Sequence, residues 1–224
     1  MNFLMQRDNA MSPIDLMVFD LDGTIVDSSP DLIAAVNFAR AALKLAALTD
    51  EAIISFVGDG LDKLVERFLG PEQKHCQAEA RAIFMEYYGK HLADKTVLCP
   101  GVLEVMKFFG NKKKLLITNK DRDFTRRITD HFKITACFEE IIGMGSTAYR
   151  KPEALILFPA LSRLRIDPQH TVVIGDGVAD IKLAKNTGSK SCAMLNGFTS
   201  RATLLALQPD FACESLWELK EILC

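Results

Sequence analysis

The sequence lacks the cysteine spacing that marks zinc sites and disulfide-stabilised domains. Its six cysteines are scattered along the chain, and no two of them form a CxxC pair. Structural zinc sites and small disulfide frameworks are built from closely spaced cysteines, so this pattern speaks against both. We therefore expect reduced thiols that are mostly buried.

A strong excess of positive or negative charge is also missing. The formal net charge is -2, and charged residues make up 25% of the chain. Nucleic-acid-binding proteins usually carry a clustered basic surface, so the sequence predicts no nucleic-acid partner. With 49% hydrophobic residues, the 224-residue chain can form one large domain or a core that carries a smaller insertion.

Long apolar runs are the third absence. No stretch is long enough to cross a bilayer, and the N-terminal MNFLMQRDNAMSP contains no apolar segment of the length that a signal peptide needs. We therefore expect a cytoplasmic protein without a membrane partner. The sequence leaves open whether it is a monomer or a homodimer. Residues 1–11 are predicted to be a frayed extension, with Met11 as an alternative start.

The most informative segment reads LMVFDLDGTIVDS, from Leu16 to Ser28. Its apolar start, LMVF, has the length of a short buried strand and stops at Asp20. Residues two apart on an extended backbone point the same way, so Asp20 and Asp22 face one small volume. Two carboxylates held so close repel each other unless a cation neutralises them, which favours a divalent metal, a nucleophilic carboxylate or both. Taken alone, the segment also suits a solvated turn after a core strand.

Helices alone are predicted between this first strand and residue 97. The spacing of apolar residues and the glycine breaks predict four of them, over Ser29–Leu43, Asp50–Val57, Leu61–Leu69 and Pro71–His91. An uninterrupted helical block after one lone strand is typical of an inserted domain. We therefore predict a helical cap domain of residues 28–96, inserted into a core of residues 12–27 and 97–224.

Strands and helices alternate after the linker Cys99-Pro100-Gly101. The predicted strands are 114–118, 138–143, 171–175 and 190–195, and the predicted helices are 102–109, 121–132, one ending at Leu164, 178–187 and a last one opened by a Ser215-Glu218 capping box. Because Pro159 cannot donate inside a helix, the helix ending at Leu164 is expected to start near Phe158 or to kink. This alternation predicts an α/β fold with a Rossmann-like, mainly parallel sheet as its core.

Polar residues follow the predicted strands where each of them ends. They are Thr118-Asn119-Lys120, Arg150-Lys151-Pro152 and the run from Asp176 to Asp180. The carboxyl ends of parallel strands meet at one edge of a sheet, so these side chains are expected to converge with Asp20 and Asp22. Acids with one lysine and one hydroxyl suit a Mg²⁺ ion that holds a phosphate. Each piece alone also suits a turn or a surface position, but their ordered occurrence at strand ends favours a site.

Four of these segments resemble the ordered motifs of the haloacid dehalogenase superfamily. They are DLDGT at Asp20–Thr24, TNK at Thr118–Lys120, KP at Lys151–Pro152 and GDGVAD at Gly175–Asp180. The resemblance covers nearly the whole chain and implies a phosphatase or phosphomutase, because the dehalogenases lack an acid at the Asp22 position. The insertion with FVGDGLDKLVERFLG (Phe56–Gly70) and the linker CPGV look most like those of phosphoglycolate phosphatases. Gly177 departs from the pattern, since relatives often carry Ser or Thr there.

The residues themselves support a covalent phosphatase mechanism. Asp20 would attack phosphorus to give an aspartyl phosphate, and Asp22 would act first as acid and then as base. Lys151 would neutralise charge on the nucleophile and the phosphate. A carboxylate attacks a phosphate dianion poorly, so Mg²⁺ is expected to screen the repulsion.

The remaining predicted site residues bind the phosphate, the substrate or the metal. Thr118 and the N–H groups around Leu21 and Asp22 are expected to hold the phosphoryl oxygens, and Asn119 is expected to contact the substrate. Asp176 is expected to complete the Mg²⁺ site with Asp20 and the Asp22 carbonyl. Asp180 is expected to orient Lys151 or a metal-bound water.

We therefore predict a Mg²⁺-dependent hydrolase of small phosphomonoesters, with 2-phosphoglycolate favoured. A phosphosugar mutase on the same scaffold is the nearest alternative, and an inactive binding or regulatory module is a remote one. An inactive module would be expected to lose one of the central acids or the lysine, and none is missing. The segment 56–61 either closes over the site and restricts the substrate, or is a plain turn between helices with Gly58 as C-cap.

Overall fold

A six-stranded parallel sheet lies at the centre of the computed structural model, which describes residues 13–223. The strands of the chain are β1 (Leu16–Phe19), β2 (Val26–Asp27), β3 (Val97–Leu98), β4 (Lys113–Asp121), β5 (Glu140–Met144), β6 (Thr171–Gly175), β7 (Lys190–Met194) and β8 (Phe211–Cys213). The order in the main sheet is β5-β4-β1-β6-β7-β8, and every neighbouring pair is parallel. The predicted α/β class is confirmed, whereas the predictions about residues 1–11 lie outside the described residues.

The described residues contain ten α-helices. They are α1 (Ser29–Ala42), α2 (Asp50–Ile54), α3 (Leu61–Leu69), α4 (Gln77–His91), α5 (Val102–Phe108), α6 (Arg122–His131), α7 (Phe158–Leu164), α8 (Val178–Thr187), α9 (Arg201–Ala206) and α10 (Leu219–Ile222). The predicted start of α7 near Phe158 is confirmed, with Pro159 in its first turn. Between residues 13 and 223, none of these helices combines the length and apolar character that a bilayer crossing requires.

Strand β1 is buried on both faces of the sheet. Met17 and Phe19 belong to the larger apolar cluster on one face, and Leu16 and Val18 belong to a second cluster on the other. A strand covered on both faces needs apolar side chains at successive positions rather than at alternate ones. This explains the uninterrupted LMVF run, and it anchors the polar residues that follow it.

Two strands that the sequence does not reveal connect the sheet to the helical block. β2 pairs with β3 in antiparallel register, with Asp27 opposite Val97, and the N–H of Cys99 donates to the carbonyl of Ile25 at 2.9 Å. We call this pair of strands the neck. Next to it, the buried carboxylate of Asp31 in α1 accepts hydrogen bonds from the backbone of residues 95–96. The helices α1 to α4 lie between the two neck strands in sequence, and the division into core and cap domains remains our proposal.

Several predicted boundaries differ from the structure. The predicted helix 71–91 begins with a 3-10 segment, Pro71–Cys76, before α4. The predicted strand 114–118 extends to Asp121, because the polar residues after Thr118 stay extended until Asp121 caps α6 by accepting from the N–H of Asp123 at 2.9 Å. Helix α9 and strand β8 were not predicted, since six and three residues are too short for a clear periodic pattern.

Candidate active site

The carboxylate of Asp20 lies at the carboxyl end of β1. Its backbone N–H donates to the Ile174 carbonyl at 2.9 Å and continues the pairing of β1 with β6. The Oδ1 atom accepts a hydrogen bond from the N–H of Leu21 at 2.7 Å and forms an ion pair with Nζ of Lys151 at 2.8 Å. The Leu21 N–H, a predicted phosphate ligand, is therefore directed at the carboxylate of Asp20.

The chain turns sharply at Gly23, directly after the two acids. Gly23 has a φ of 77°, and a Cβ atom there would lie 2.2 Å from Oδ2 of Asp176. Only glycine fits both the left-handed backbone and the close approach. The DLDG turn is thus pressed against the acid that follows β6.

Lys151 lies between two carboxylates. Its Nζ atom is 2.8 Å from Asp20 Oδ1 and 2.6 Å from Asp180 Oδ1, and the lysine side chain is buried. Burial alone would lower the pKa of Lys151, but the neighbouring charges of Asp180 and Asp20 outweigh it and raise the pKa above its usual value. Lys151 is therefore held as a cation next to the proposed nucleophile.

Asp180 is held by groups on both sides. Besides Lys151, it accepts a hydrogen bond from the N–H of Gly177 at 3.0 Å, at the start of α8. Burial and the charge of Asp20 raise the pKa of Asp180 to about 7, although Lys151 acts in the opposite direction. Of the two predicted roles of Asp180, this geometry favours orienting Lys151.

Asp176, the first residue after β6, completes a cluster of three acids. It accepts hydrogen bonds from the Thr24 hydroxyl at 3.0 Å and from the N–H of Phe198 at 2.7 Å. Carboxylate oxygens of Asp20, Asp176 and Asp180 lie within 4.8 Å of one another. Burial and the charges of the other two acids raise the pKa of Asp176 to about 8. Three buried acids with one lysine retain excess negative charge, so the donor set fits a hard divalent cation such as Mg²⁺.

Thr118 and Asn119 follow the buried part of β4. Both are buried and line the cavity described below. The Asn119 amide donates to the carbonyls of Gly58 at 3.0 Å and Lys151 at 3.2 Å, and its oxygen accepts from the Lys151 N–H at 3.0 Å. Asn119 thereby links the 56–61 loop to the backbone of Lys151, and its direct contact with substrate remains a prediction.

Asp22 is held by a group of residues to which sequence reasoning assigned no role. It accepts a hydrogen bond from the Ser28 hydroxyl, and its two carboxylate oxygens lie 3.1 and 3.2 Å from Nζ of Lys120. That ammonium also donates to the Tyr88 hydroxyl at 2.7 Å. A signal for Lys120 existed, because on an extended strand it points the same way as Thr118. Tyr88 occupies an apolar helix position and looks like an ordinary core residue.

A cavity of about 450 Å³ opens over these polar groups. Asp20, Asp22, Thr118, Lys151 and Asp176 form part of its wall, together with residues 57–61. Apolar side chains of the helical block and of α6 form another part, among them Ile54, Leu64, Phe84 and Phe124. The predicted convergence at one sheet edge is observed, and the 56–61 loop contacts the same cavity.

A substitution at Gly60 tests whether this loop influences the rate of the reaction. Its φ is 88°, and an added Cβ would lie 3.3 Å from both the Asn119 carbonyl oxygen and the Met144 Cε. We expect Gly60→Val to push the loop away from Asn119 and to lower kcat/KM about tenfold or more for a small phosphomonoester. The matched control is Gly70→Val, because Gly70 also has a positive φ of 74° but no neighbouring atom within 4 Å. Equal kinetics in the two variants at similar thermal midpoints would show that the loop does not control turnover.

Known proteins are similar to this chain along most of its length. The model of the family described as haloacid dehalogenase-like hydrolase matches residues 17–194. A phosphoglycolate phosphatase of Chromobacterium violaceum is 33% identical over 94% of this chain and 96% of its own length. One from Vibrio vulnificus is 31% identical over 93% of this chain and 96% of its own length.

Solved structures of similar proteins share the fold. A crystal structure of a predicted phosphoglycolate phosphatase from Haemophilus somnus superposes with a TM-score of 0.89 at 24% identity, covering 95% of this chain and 99% of that one. A haloacid dehalogenase-like hydrolase from Streptococcus pneumoniae gives a TM-score of 0.86 at 26% identity, over 94% of this chain and 99% of that one. The similarity therefore includes the helical block between the neck strands as well as the sheet.

Proposed function

The chain belongs to the haloacid dehalogenase-like hydrolase family and is a phosphoric monoester hydrolase, and we propose that it hydrolyses 2-phosphoglycolate with Mg²⁺ through an aspartyl phosphate. The observation that carries the proposal is the position of Asp20, at the end of β1 and 2.8 Å from the buried Lys151. A carboxylate that is buried, oriented and paired with a cation at a cavity wall suits nucleophilic catalysis. The substrate is proposed because relatives with this name match over nearly their whole length.

The hydrogen bonds of Asp20 indicate which of its oxygens would react. The Leu21 N–H donates to Oδ1, and Lys151 forms its ion pair with the same atom, so Oδ2 is the oxygen that would face phosphorus. Attack by Oδ2 forms the aspartyl phosphate while the bond from phosphorus to the ester oxygen breaks. Lys151 would neutralise charge on the phosphoryl group during this step, and Asp180 would keep the lysine in place.

Asp22 would supply and then remove the protons. As acid it gives a proton to the leaving alkoxide, which departs as glycolate. As base it takes a proton from the water that attacks the aspartyl phosphate, so that inorganic phosphate and free Asp20 are regenerated. Thr118 and the N–H groups around Leu21 and Asp22 would hold the phosphoryl oxygens through both steps.

Asp20, Asp176 and the Asp22 carbonyl would hold the Mg²⁺ ion. The acid cluster and the close approach of Gly23 to Asp176 fit this assignment, whereas Asp180 is occupied by Lys151 and the Gly177 N–H. Bound there, the ion would reduce the repulsion between the nucleophile and the phosphate dianion.

A hydrolysis screen over small phosphomonoesters with Mg²⁺ tests the proposal. We expect the highest kcat/KM for 2-phosphoglycolate and low values for hexose phosphates. Part of the cavity wall is formed by large apolar side chains such as Ile54, Leu64 and Phe124, and a sugar hydroxyl placed against them would lose water without gaining a hydrogen bond.

Two outcomes of this screen would contradict the proposal. Turnover of a hexose phosphate as fast as that of 2-phosphoglycolate would remove the substrate assignment. Phosphate transfer that needs a bisphosphate activator and releases no free phosphate would instead indicate a phosphosugar mutase. We also expect a cytoplasmic protein whose partner is a small phosphorylated metabolite.

A further inference from the structure

Lys120 is a buried cation on the leaving-group side of the candidate site. Its side chain is only 7% exposed, and its Nζ atom contacts both oxygens of Asp22 and the hydroxyl of Tyr88. Burial alone would lower the pKa of Lys120, but Asp22 and Tyr88 outweigh it and raise the pKa, so the side chain stays charged. The proposed mechanism assigns no role to this second lysine of the site.

The other basic side chains that line the cavity are already paired. Lys151 is shared between Asp20 and Asp180 at the phosphate end. Arg67 of α3 pairs with Asp59 and donates to the carbonyl of Phe56 at 2.8 Å. Among the described residues that form the cavity wall, Lys120 is therefore the basic residue that pairs with Asp22, the proposed acid of the reaction.

We propose that Lys120, held in place by Tyr88, recognises a carboxylate on the leaving group of the substrate. This inference rests on the proposed phosphatase function and deepens it by assigning a specificity-determining residue. The substrate class that it selects is a phosphomonoester with a carboxylate one carbon away from the ester oxygen.

The distances place Lys120 within reach of such a carboxylate. An acid that protonates the leaving group lies about 2.7 Å from the ester oxygen. Because the Asp22 oxygens are 3.1 and 3.2 Å from Nζ of Lys120, the ammonium is at most about 6 Å from that oxygen. A carboxylate joined to the ester oxygen through one CH₂ group bridges this gap, whereas an uncharged leaving group places no anion there.

The substrate carboxylate would replace Asp22 as the partner of Lys120. Asp22 cannot give a proton to the ester oxygen while Ser28 and Lys120 occupy both of its own oxygens. A buried ammonium without a counter-charge is costly, so Asp22 leaves Lys120 readily only when another anion takes its place. A substrate that lacks the carboxylate should therefore react slowly as well as bind weakly.

Tyr88 is fixed by aromatic packing in a position where its hydroxyl binds Lys120. Its ring packs against Phe84 with centroids 5.4 Å apart and against Phe124 with centroids 5.3 Å apart. Its hydroxyl accepts from Lys120 at 2.7 Å, which leaves the O–H proton available for a substrate carboxylate. Burial raises the pKa of Tyr88 to about 12, so the hydroxyl keeps its proton near neutral pH.

Matched substrates provide the first test. 2-Phosphoglycolate and ethyl phosphate differ only in a carboxylate that is replaced by a methyl group. We expect Lys120→Met to reduce the ratio of their kcat/KM values about 10- to 100-fold, the range of a hydrogen-bonded charge pair, with a drop in kcat as well as a rise in KM. Tyr88→Phe should reduce the ratio several-fold, and Lys90→Met on the exposed side of α4 should leave it unchanged.

The same measurement can overturn the inference. If Lys120→Met slows both substrates equally, the lysine serves only to position Asp22. If Arg67→Met removes the discrimination instead, the carboxylate is recognised by the helical block. Thermal midpoints of all variants are compared, so that loss of folding is not mistaken for loss of recognition.

A binding measurement separates this inference from the proposed phosphatase function. 3-Phosphonopropionate and propylphosphonate cannot be hydrolysed and differ in the same carboxylate. By calorimetry we expect wild type to prefer the former about tenfold or more, and Lys120→Met to show no preference. Preference without turnover of any phosphomonoester would contradict the proposed function but support the carboxylate site. Turnover of 2-phosphoglycolate by a protein that binds both phosphonates equally would overturn the site alone.

Discussion

Replacing Asp20 by Asn is expected to lower kcat at least about a thousandfold while the thermal midpoint stays within a few degrees of wild type. The substitution removes the nucleophile but keeps its volume, and the amide oxygen can still accept from the Leu21 N–H and Lys151. It also removes one charge from a crowded acid cluster, which favours the folded state. Rate and stability should therefore change independently. A variant that keeps more than about a thousandth of the rate would rule out a covalent Asp20 mechanism.

Asp31→Asn is the matched control, because Asp31 is also a buried aspartate. Its carboxylate accepts hydrogen bonds from the N–H groups of Lys95 and Thr96 and from the Thr96 hydroxyl. An amide cannot accept all of these, so we expect the free energy of unfolding to fall by about 1–3 kcal/mol. Turnover should stay within about tenfold of wild type, since Asp31 contacts no proposed catalytic group. Loss of turnover without loss of stability in Asp20→Asn, and loss of stability without loss of turnover in Asp31→Asn, would separate the catalytic role from the structural one.

Removal of Mg²⁺ is expected to abolish turnover, and this is the second large effect. The acids at the ends of β1 and β6 must meet an anionic substrate, and Lys151 alone leaves the acid cluster with excess negative charge. Excess chelator should stop phosphate release, and added Mg²⁺ should restore it. Ca²⁺ should bind but support little turnover, because its longer and looser coordination misplaces nucleophile and phosphorus. Full activity in excess chelator would overturn the metal assignment.

A thermal measurement checks the metal site without relying on activity. An ion that binds the folded state raises the thermal midpoint in proportion to ln(1 + [L]/Kd). We expect Mg²⁺ to raise the midpoint of the wild type and to have little effect on Asp176→Asn. Asp121→Asn is a suitable control, because Asp121 caps α6 and does not belong to the acid cluster. An equal Mg²⁺ effect in all three proteins would mean that the ion binds elsewhere.

The candidate site could be predicted from the sequence because parallel sheets gather strand ends at one edge. Each buried strand is recognised as a short apolar run, and the residue that follows the run is thereby placed at the carboxyl end of the strand. This is why Asp20, Thr118 and Asp176 could be placed near one another without coordinates. Lys151 follows β5 at the end of a longer loop, and its contact with Asp20 confirms the predicted proximity.

Contacts between distant segments could not be predicted in this way. Tyr88 meets Lys120 across 32 positions of sequence, and Asn119 meets Gly58 across 61. Tyr88 carries no local signal, since a tyrosine in an apolar helix stripe packs like any core residue. The strands of the neck are missed for a related reason, because two residues cannot display alternation. The pattern of apolar residues in a short segment reveals helices and strands. How these elements pack against one another depends on contacts between segments that are far apart in sequence.

The two neck strands bring the ends of residues 28–96 close together. Paired strands lie about 5 Å apart, and Asp27 is opposite Val97, so residues 28–96 leave and return at adjacent points. A tight hairpin turn can span that gap, so the proposed domain division predicts that the length of this stretch can change without altering the ends of β2 and β3. Residues 28–96 also supply much of the apolar cavity wall, so under the proposed domain division a change in this stretch would alter the space for the substrate while the acids around Lys151 keep their positions.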